Sequence, residues 1–307
     1  MKKVIIISGP TASGKSALAI ELAKKIPAEI ISADSMQIYK NMDIGTAKVT
    51  SEERSLVKHH LIDIIEPYEK YSVQDFQMAA RNLIRDIHEK DKIPIIVGGT
   101  GLYINSIIYD YDFSQVEPNQ EFRTRMEEEF KDNPHALLAK LIAIDSEKYS
   151  NLTIKDKKKI IRALEVYEFS GKTITVDSKL NTDYKYYLYV LNEDRQSLYD
   201  RINKRVDLMI EEGLIDEVKT LIEQGLNEET QSMKAIGYRE VIPYLKGEIS
   251  HDEMLQKLKQ DSRRYAKRQL TWFRKVEISR WLDRQTLTQE QMIDIILEEI
   301  NEFWICK

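Results

Sequence analysis

The sequence is poor in cysteine, glycine and proline. Its single cysteine, Cys306, has no partner in the chain, which excludes an internal disulfide and a cysteine-rich metal site. With only 11 glycines and 7 prolines among 307 residues, and no low-complexity tract, the composition is that of an ordered globular chain. This length predicts one large α/β domain with an insertion, or two ordinary domains.

Long apolar runs are also missing. The run from Val4 to Ile7 is among the longest, and it falls far short of the roughly 18 residues that cross a bilayer. The basic start, Lys2-Lys3, leads into a glycine-containing loop motif and not into a cleavage site. We therefore expect a cytoplasmic protein that does not contact a membrane.

The net charge of −5 argues by itself against nucleic-acid binding, but the basic residues are clustered. Five of the eight residues from Lys155 to Arg162 are basic. From Ser262 to Lys275 six residues are basic and none is acidic, with Tyr265, Trp272 and Phe273 interleaved. Such stripes are compatible with docking a polyanion on one face, and equally with solvated helix faces.

Strand-like and helix-like segments alternate in the first third of the chain. Apolar runs at residues 3–8, 28–35 and 93–99 predict strands, and residues 17–23 and 73–89 predict helices. This alternation predicts an α/β fold in which a parallel sheet carries helices on both faces. Ligands then bind at the carboxyl ends of the strands.

After the third strand the pattern becomes helical, and strand character returns only at residues 184–191. We therefore predict a core of residues 1–113 and 183–307 and an inserted helical domain of residues 114–182. Beyond the last strand the chain reads as helix to its end, with a break at Gly213. The apolar residues at helical spacing in the insertion are Phe122, Met126, Phe130, Leu137, Leu138, Leu141 and Ile142.

A complete GxxxxGK[ST] motif lies between the first predicted strand and the first predicted helix. Its glycines let backbone N–H groups point at phosphate oxygens, Lys15 neutralises charge, and the Ser16 hydroxyl can bind Mg²⁺. The motif predicts a site for a nucleoside triphosphate or another diphosphate, and a chance glycine-rich turn is the alternative. The residues of this phosphate loop are Gly9, Pro10, Thr11, Ala12, Ser13, Gly14, Lys15 and Ser16.

The next two strand ends also carry candidate residues. Asp34 follows the second strand, where it could accept a proton from a nucleophile, hold Mg²⁺ through water, or simply cap a helix. The third strand ends in Gly98-Gly99-Thr100 and lacks the acidic residue that organises Mg²⁺ in ATPases and GTPases. Thr100 suits a hydrogen bond to a phosphate, although a tight turn with glycines at positive φ explains the same residues.

Arg201 and Arg205 lie four residues apart in the helical pattern after the last strand. An arginine here could neutralise the charge of a departing pyrophosphate. A surface ion pair with Glu212 or Asp216 is the alternative for either residue.

Seven blocks in the chain carry a resemblance: GPTASGKS, ISADSMQIYKNMDIGTAK, HHLIDI, IPIIVGGTGLYI, IIRALEVYEFSGK, MKAIGYRE and AKRQLTWFRK. In this order they resemble, nearly end to end, the bacterial tRNA dimethylallyltransferases, also called isopentenyl-tRNA transferases. The DSMQ and GGTGLY blocks separate that family from nucleotide kinases, which share the phosphate loop.

The resemblance implies a P-loop core with a helical insertion, dimethylallyl diphosphate as donor, Mg²⁺, and tRNA modified at N6 of the adenine 3′ of the anticodon. It implies that Asp34 is the general base, that Thr100 contacts phosphate and that Arg205 binds the pyrophosphate. Contacts to the anticodon stem-loop would come from Ser35, Met36, Gln37, Arg123, Lys158, Lys159, Ile160, Ile161 and Arg162.

The target adenine would have to be extruded from the RNA, and an aromatic residue such as Tyr39 or Tyr103 could stack on it. We expect a monomer without an obligate protein partner. The main alternative is a P-loop small-molecule kinase with its substrate beside Asp34. A non-catalytic RNA-binding protein is more distant, because it would leave the phosphate loop and its neighbouring carboxylate unexplained.

Overall fold

The structure is a computed structural model, in which contacts divide the chain into two compact units. Met1–Ile108 and Leu180–Lys307 form one unit, here called the core, and Tyr109–Lys179 form the other, here called the insertion. The boundaries expected from the sequence fall a few residues later in the chain. The described residues are 1–111, 113, 116–173 and 179–301.

The core is built on one parallel sheet. Its described strands are β1 (Lys3–Ser8), β2 (Ala28–Ser32), β3 (His59–His60), β4 (Ile93–Gly98), β5 (Lys185–Asn192) and β6 (Ser279–Asp283). They are arranged in the order β3-β2-β4-β1-β5-β6. β1 therefore lies inside the sheet, with Ile5 in register with Ile95 of β4 and with Tyr187 of β5. The predicted α/β class is confirmed.

Helices cover both faces of this sheet, as predicted. The helices between the strands are α1 (Lys15–Lys25), α2 (Ser51–Leu56), α3 (Val73–His88) and α4 (Gly101–Ile108). Ile5 and Ile7 pack into a cluster with Leu18 and Leu22 of α1. Successive strand residues point to opposite faces, so the equally buried Ile6 points to the other face, and α3 packs against β2 and β4.

The insertion folds around its own small core. Its helices are α5 (Gln120–Asp132), α6 (Pro134–Ile144), α7 (Ser146–Tyr149) and α8 (Lys157–Ser170). Phe122 and Met126 of α5 are buried against Leu137 and Leu141 of α6, as their helical spacing predicts. No helix among the described residues of either unit is long and apolar enough to cross a membrane.

The C-terminal part of the core is mostly helical. Its helices are α9 (Arg195–Glu211), α10 (Leu214–Glu223), α11 (Tyr238–Leu245), α12 (His251–Phe273) and α13 (Gln289–Asn301). The predicted break at Gly213 is confirmed, because this residue has a φ of 102° and separates α9 from α10. Val206, Val218 and Leu258 bury their side chains in one cluster with Ile38, which follows β2.

The prediction of helix throughout this C-terminal part is wrong at one place. Ser279–Asp283 form β6, which pairs with β5 in parallel at the edge of the sheet. Leu282 is the one residue of the five that is buried, so the segment lacks the apolar run that marks β1 and β4. Cys306 lies outside the described residues.

Candidate active site

The predicted phosphate loop, residues 9–16, connects β1 to α1 at the carboxyl end of the sheet. Gly9 and Gly14 have φ angles of 143° and 83°, which glycine adopts without strain. α1 begins at Lys15 without a side-chain cap, which leaves N–H groups of its first turn for a ligand. Ser13 Oγ is buried and has no hydrogen-bond partner among the described residues, as suits a group that binds an anion.

Lys15 is a half-buried basic group at the start of α1. Its Nζ donates a hydrogen bond of 2.7 Å to the carbonyl of Pro10, which folds the side chain back over the loop. Burial, and after it the charge of Arg205, lower the pKa of Lys15 to about 7, against the opposing effect of the charge of Asp34. An anion in the loop would restore the charged form.

Arg205 reaches the phosphate loop from α9. Its Nη1 lies 3.4 Å from the hydroxyl of Thr11, to which it donates. Burial lowers the pKa of this guanidinium, while the charges of Asp34 and Glu212 oppose the shift. Arg201 instead lies 3.7 Å from Glu193. Of the two predicted arginines, Arg205 is therefore the one that the structure brings to the loop.

Asp34 stands in a turn after β2, and no helix begins there, so the helix-cap alternative is wrong. Its Oδ1 accepts a hydrogen bond of 2.9 Å from the N–H of Met36. A carboxylate that bonds to the backbone two residues later fixes its own orientation. The second carboxylate oxygen remains available for chemistry.

The glycines after β4 are required because other segments of the core lie too close to them to leave room for a Cβ atom. None of Gly98, Gly99 and Gly101 has a positive φ, so that explanation of the turn is wrong. A Cβ on Gly98 would lie 2.2 Å from the carbonyl oxygen of Ala33, and one on Gly101 would lie 2.4 Å from the ring of Trp272. The turn after β4 can therefore lie directly against the segment that carries Asp34.

Thr100 joins these two strand ends. Its N–H donates to the carbonyl of Ala33 at 3.4 Å, and its hydroxyl accepts a hydrogen bond of 3.2 Å from the N–H of Ser35. The sequence predicts a phosphate contact for Thr100. In the structure its hydroxyl also holds the backbone beside Asp34.

Two adjoining cavities occupy the carboxyl edge of the sheet. The smaller, of about 90 Å³, is lined by Lys15, Ser16 and the ends of β2 and β4. The larger, of about 260 Å³, lies among α9, α12 and residues 234–239. The residues that line both cavities are Thr11, Asp34, Thr46, Arg205 and Tyr265. The predicted base and the predicted pyrophosphate arginine thus stand where the two cavities meet.

Tyr265 is a site residue that the sequence did not single out. Burial raises the pKa of its hydroxyl to about 12, and the charge of Asp34 acts in the same direction. The sequence feature that could have indicated Tyr265 is its position in the basic segment of α12. An aromatic residue within a helix, however, is more often interpreted as part of the hydrophobic core. The two aromatic residues that we expected are covered: Tyr39 is fully buried, and Tyr103 stacks on Phe76 at 4.1 Å between ring centroids.

The three residues after Asp34 differ in their availability to RNA. Ser35 and Met36 line the larger cavity. Gln37 is 9% exposed, and both ends of its amide are bonded within the protein. Its Oε1 accepts from Ser32, and its Nε2 donates to the carbonyls of Thr46 and Ala47.

The predicted RNA residues of the insertion fall into three groups. Ile160 and Ile161 bury their side chains in its hydrophobic core. Arg123 and Arg162 both bind the fully buried carboxylate of Glu165. The residues whose side chains are exposed are Lys158 and Lys159.

The second basic stripe forms an exposed face of α12 and of the residues after it. Arg268 lies 5.6 Å from the ring of Tyr265 and lines the larger cavity. Trp272 is 40% exposed on the same segment. The exposed cations of this stripe are Arg264, Lys267, Arg268, Arg274 and Lys275.

A family model described as IPP transferase matches residues 37–276 of the chain. The chain belongs to the IPP transferase family. The phosphate loop precedes the matched segment, but comparisons of whole structures include it, because they cover 98% of the chain. The fold class and the enzyme class expected from the sequence are confirmed, and the kinase alternative is not favoured.

Three solved structures are similar to the chain. A tRNA delta(2)-isopentenylpyrophosphate transferase from Staphylococcus epidermidis is 42% identical with a TM-score of 0.75, over 98% of this chain and 99% of that one. A full-length tRNA isopentenylpyrophosphate transferase from Bacillus halodurans is also 42% identical with a TM-score of 0.75, over 98% and 96%. A eukaryotic dimethylallyltransferase acting on tRNA is 29% identical with a TM-score of 0.84, over 98% and 80%.

Lys15 should take up a proton when a diphosphate binds. With a pKa of about 7, it is mostly neutral in the free protein at pH 8, and an adjacent anion favours the charged form. Calorimetric titration with inorganic pyrophosphate in buffers of different ionisation enthalpy measures this uptake. At pH 8 the wild type should take up about 0.9 proton more than Lys15→Arg, which stays charged, and at pH 6 about 0.1 more.

The difference between the two proteins removes the protons contributed by pyrophosphate itself. Lys25→Arg, an exposed change on the same helix, is the matched control and should behave as the wild type. Equal proton uptake by wild type and Lys15→Arg at pH 8 would show that Lys15 is already charged in the free protein.

Proposed function

We propose that the chain transfers the dimethylallyl group of dimethylallyl diphosphate to N6 of the adenine just 3′ of the anticodon in tRNA, and releases diphosphate. The observation that carries this proposal is the meeting of Lys15, Arg205 and Asp34 at the two cavities. Two half-buried basic groups suit a diphosphate, and the carboxylate that shares their surroundings suits proton removal. The solved relatives, described as transferases of tRNA, support the same reaction.

The reaction needs a proton acceptor and accurate positioning. A bond forms between N6 and the first carbon of the dimethylallyl group, the bond from that carbon to the diphosphate oxygen breaks, and N6 loses a proton. The lone pair of the exocyclic amine is delocalised, which makes N6 a weak nucleophile. Asp34 would take the proton with the oxygen that its turn leaves available.

The leaving diphosphate gains negative charge as its bond to carbon breaks. Lys15 and Arg205 would stabilise that charge, together with backbone N–H groups at the start of α1. Thr11, whose hydroxyl contacts Arg205, would hold the guanidinium toward the loop. Fixed donors in a buried site are effective because they need no reorganisation during the reaction.

Residues at the phosphate loop also fit Mg²⁺. This ion prefers oxygen ligands and keeps several waters, so it needs few protein groups when a diphosphate is present. The Ser16 hydroxyl would bind it directly, and Asp34, which lines the same cavity, would bind it through water. When bound, Mg²⁺ would supply further positive charge to the diphosphate.

The adenine would reach Asp34 by leaving the base stack of the anticodon loop. Tyr265, which lines both cavities, would stack on the extruded base in the role first given to Tyr39 or Tyr103. Ser35 and Met36 would contact the loop at the larger cavity. The enzyme would act as a monomer without a protein partner.

Label transfer tests the proposal against the kinase alternative. Purified protein is incubated with Mg²⁺, unmodified tRNA and either labelled dimethylallyl diphosphate or γ-labelled ATP. Donor label should enter the RNA and be found on N6 of the adenine 3′ of the anticodon. Label passing from ATP to a small molecule, without transfer to RNA, would establish the kinase.

Asp34→Asn should separate chemistry from binding. Asparagine keeps an oxygen to accept the Met36 N–H, so the turn is retained, but it cannot take a proton at neutral pH. We expect kcat to fall by about 10²–10⁴-fold, with the Kd for tRNA nearly unchanged in a filter-binding measurement. Asp86→Asn, an exposed change on α3, is the control. Loss of turnover and of tRNA affinity in equal measure would contradict the role as base.

The exposed cations of α12 and of the residues just after it should give tRNA binding that weakens as salt rises. Each phosphate contact releases condensed counterions, so log K falls linearly with the logarithm of salt concentration. Replacing Lys267 and Lys275 with glutamine should make this slope shallower, by about 0.7–0.9 per lost contact. The same change at Lys24 and Lys25 of α1 should leave it unaltered. An affinity that does not depend on salt would exclude phosphate contacts as the source of binding.

A further inference from the structure

Gln269 joins the phosphate loop to the turn after β4. It lies on α12, is 6% exposed and lines the smaller cavity. Its Oε1 accepts a hydrogen bond of 2.9 Å from the N–H of Thr11, and its Nε2 donates one of 3.0 Å to the carbonyl of Gly99. One buried amide therefore connects three segments that are distant in sequence.

The two bonds need an amide in one orientation. The backbone of Thr11 offers a donor and that of Gly99 offers an acceptor, so the side chain between them must present an oxygen to one and an N–H to the other. Glutamate has the same shape, but its carboxylate has no hydrogen to donate at neutral pH. The turn is matched to this side chain, since a Cβ on Gly99 would lie 2.0 Å from Nε2 of Gln269.

Each segment that Gln269 holds also holds a group of the site. Thr11 carries the hydroxyl that contacts Arg205. The turn that contains Gly99 continues into Thr100, whose hydroxyl binds the backbone of Ser35 next to Asp34. The distance between the phosphate loop and the segment that carries Asp34 therefore depends on the Gln269 amide that lies between them.

We propose that Gln269 is a positioning residue that sets the spacing between the diphosphate loop and the turn beside Asp34, and that it does so for the donor without contacting the RNA. This inference rests on the proposed function. It also implies that the N–H of Thr11 is already used, so the loop amides that bind diphosphate are those that follow it, toward the start of α1.

The test compares Gln269→Glu with the wild type. The variant can still accept from Thr11, but it cannot donate to Gly99, and it brings a negative charge near the diphosphate. We expect the KM for dimethylallyl diphosphate to rise by about 10- to 100-fold, as for a buried bond lost next to a charge. The Kd for tRNA should stay within about twofold, because phosphate contacts on the exposed face of α12 are untouched.

Gln260→Glu is the matched control, since Gln260 is exposed on the same helix and receives the same change of charge. It should leave the KM for dimethylallyl diphosphate and the Kd for tRNA unaltered. Gln269→Met removes both hydrogen bonds with a side chain of similar size. Amide hydrogen exchange in this variant then reports whether the phosphate loop is still held in place. The N–H of Thr11 should exchange faster in this variant than in the wild type, while the amides of β1 keep their protection.

Three results would overturn the proposal: an unchanged donor KM in Gln269→Glu, equal losses of donor and tRNA affinity, or unchanged exchange at Thr11 in Gln269→Met. The exchange measurement needs no substrate. Its failure therefore counts against the role of Gln269 alone, whereas absence of label transfer by the wild-type protein counts against the proposed function.

Discussion

The site depends on two partly desolvated basic groups, Lys15 and Arg205, that share the charge of one carboxylate. Burial lowers the pKa of Lys15 and of Arg205, and Asp34 is the acid whose charge opposes the shift in both. Burying a charge costs several kcal/mol unless a partner compensates it, and one carboxylate cannot compensate two cations. An anion of two or more charges can. The folded site therefore has uncompensated positive charge, which a diphosphate would neutralise and a neutral ligand would not.

Hydrogen bonds from other parts of the core fix the phosphate loop around this charge. Segments from distant parts of the chain hold the phosphate loop: Gln269 binds the N–H of Thr11, and Arg284 donates to the carbonyl of Ser13. Such tethers keep donor groups fixed while charge develops on a ligand, which is where preorganised sites gain their effect. The same helix that supplies Gln269 turns a cationic face to solvent, so α12 serves the donor site on its inner side and is available to a polyanion on its outer side.

Much of this arrangement could be predicted from the sequence, because its signals are local. The strand–loop–helix context of residues 9–16, the helical spacing in the insertion and the break at Gly213 each depend on neighbouring residues. β6 was missed because an edge strand needs little apolar character. The reason for Gly98 and Gly99 was missed because it lies in contacts with Ala33 and Gln269, which are distant in sequence. Tyr265 was missed for the same reason.

Two basic residues of the insertion have a partner within the fold. Arg123 and Arg162 both bind Glu165, a carboxylate with no exposed surface. Burial opposes its ionisation, yet the hydrogen bonds from the two arginines outweigh burial and hold the pKa of Glu165 below its usual value. The side chains of Arg123 and Arg162 are 34% and 32% exposed, so solvent screens part of their interaction with this carboxylate. The two arginines therefore stabilise the fold of the insertion, while the neighbouring Lys158 and Lys159 are exposed to solvent.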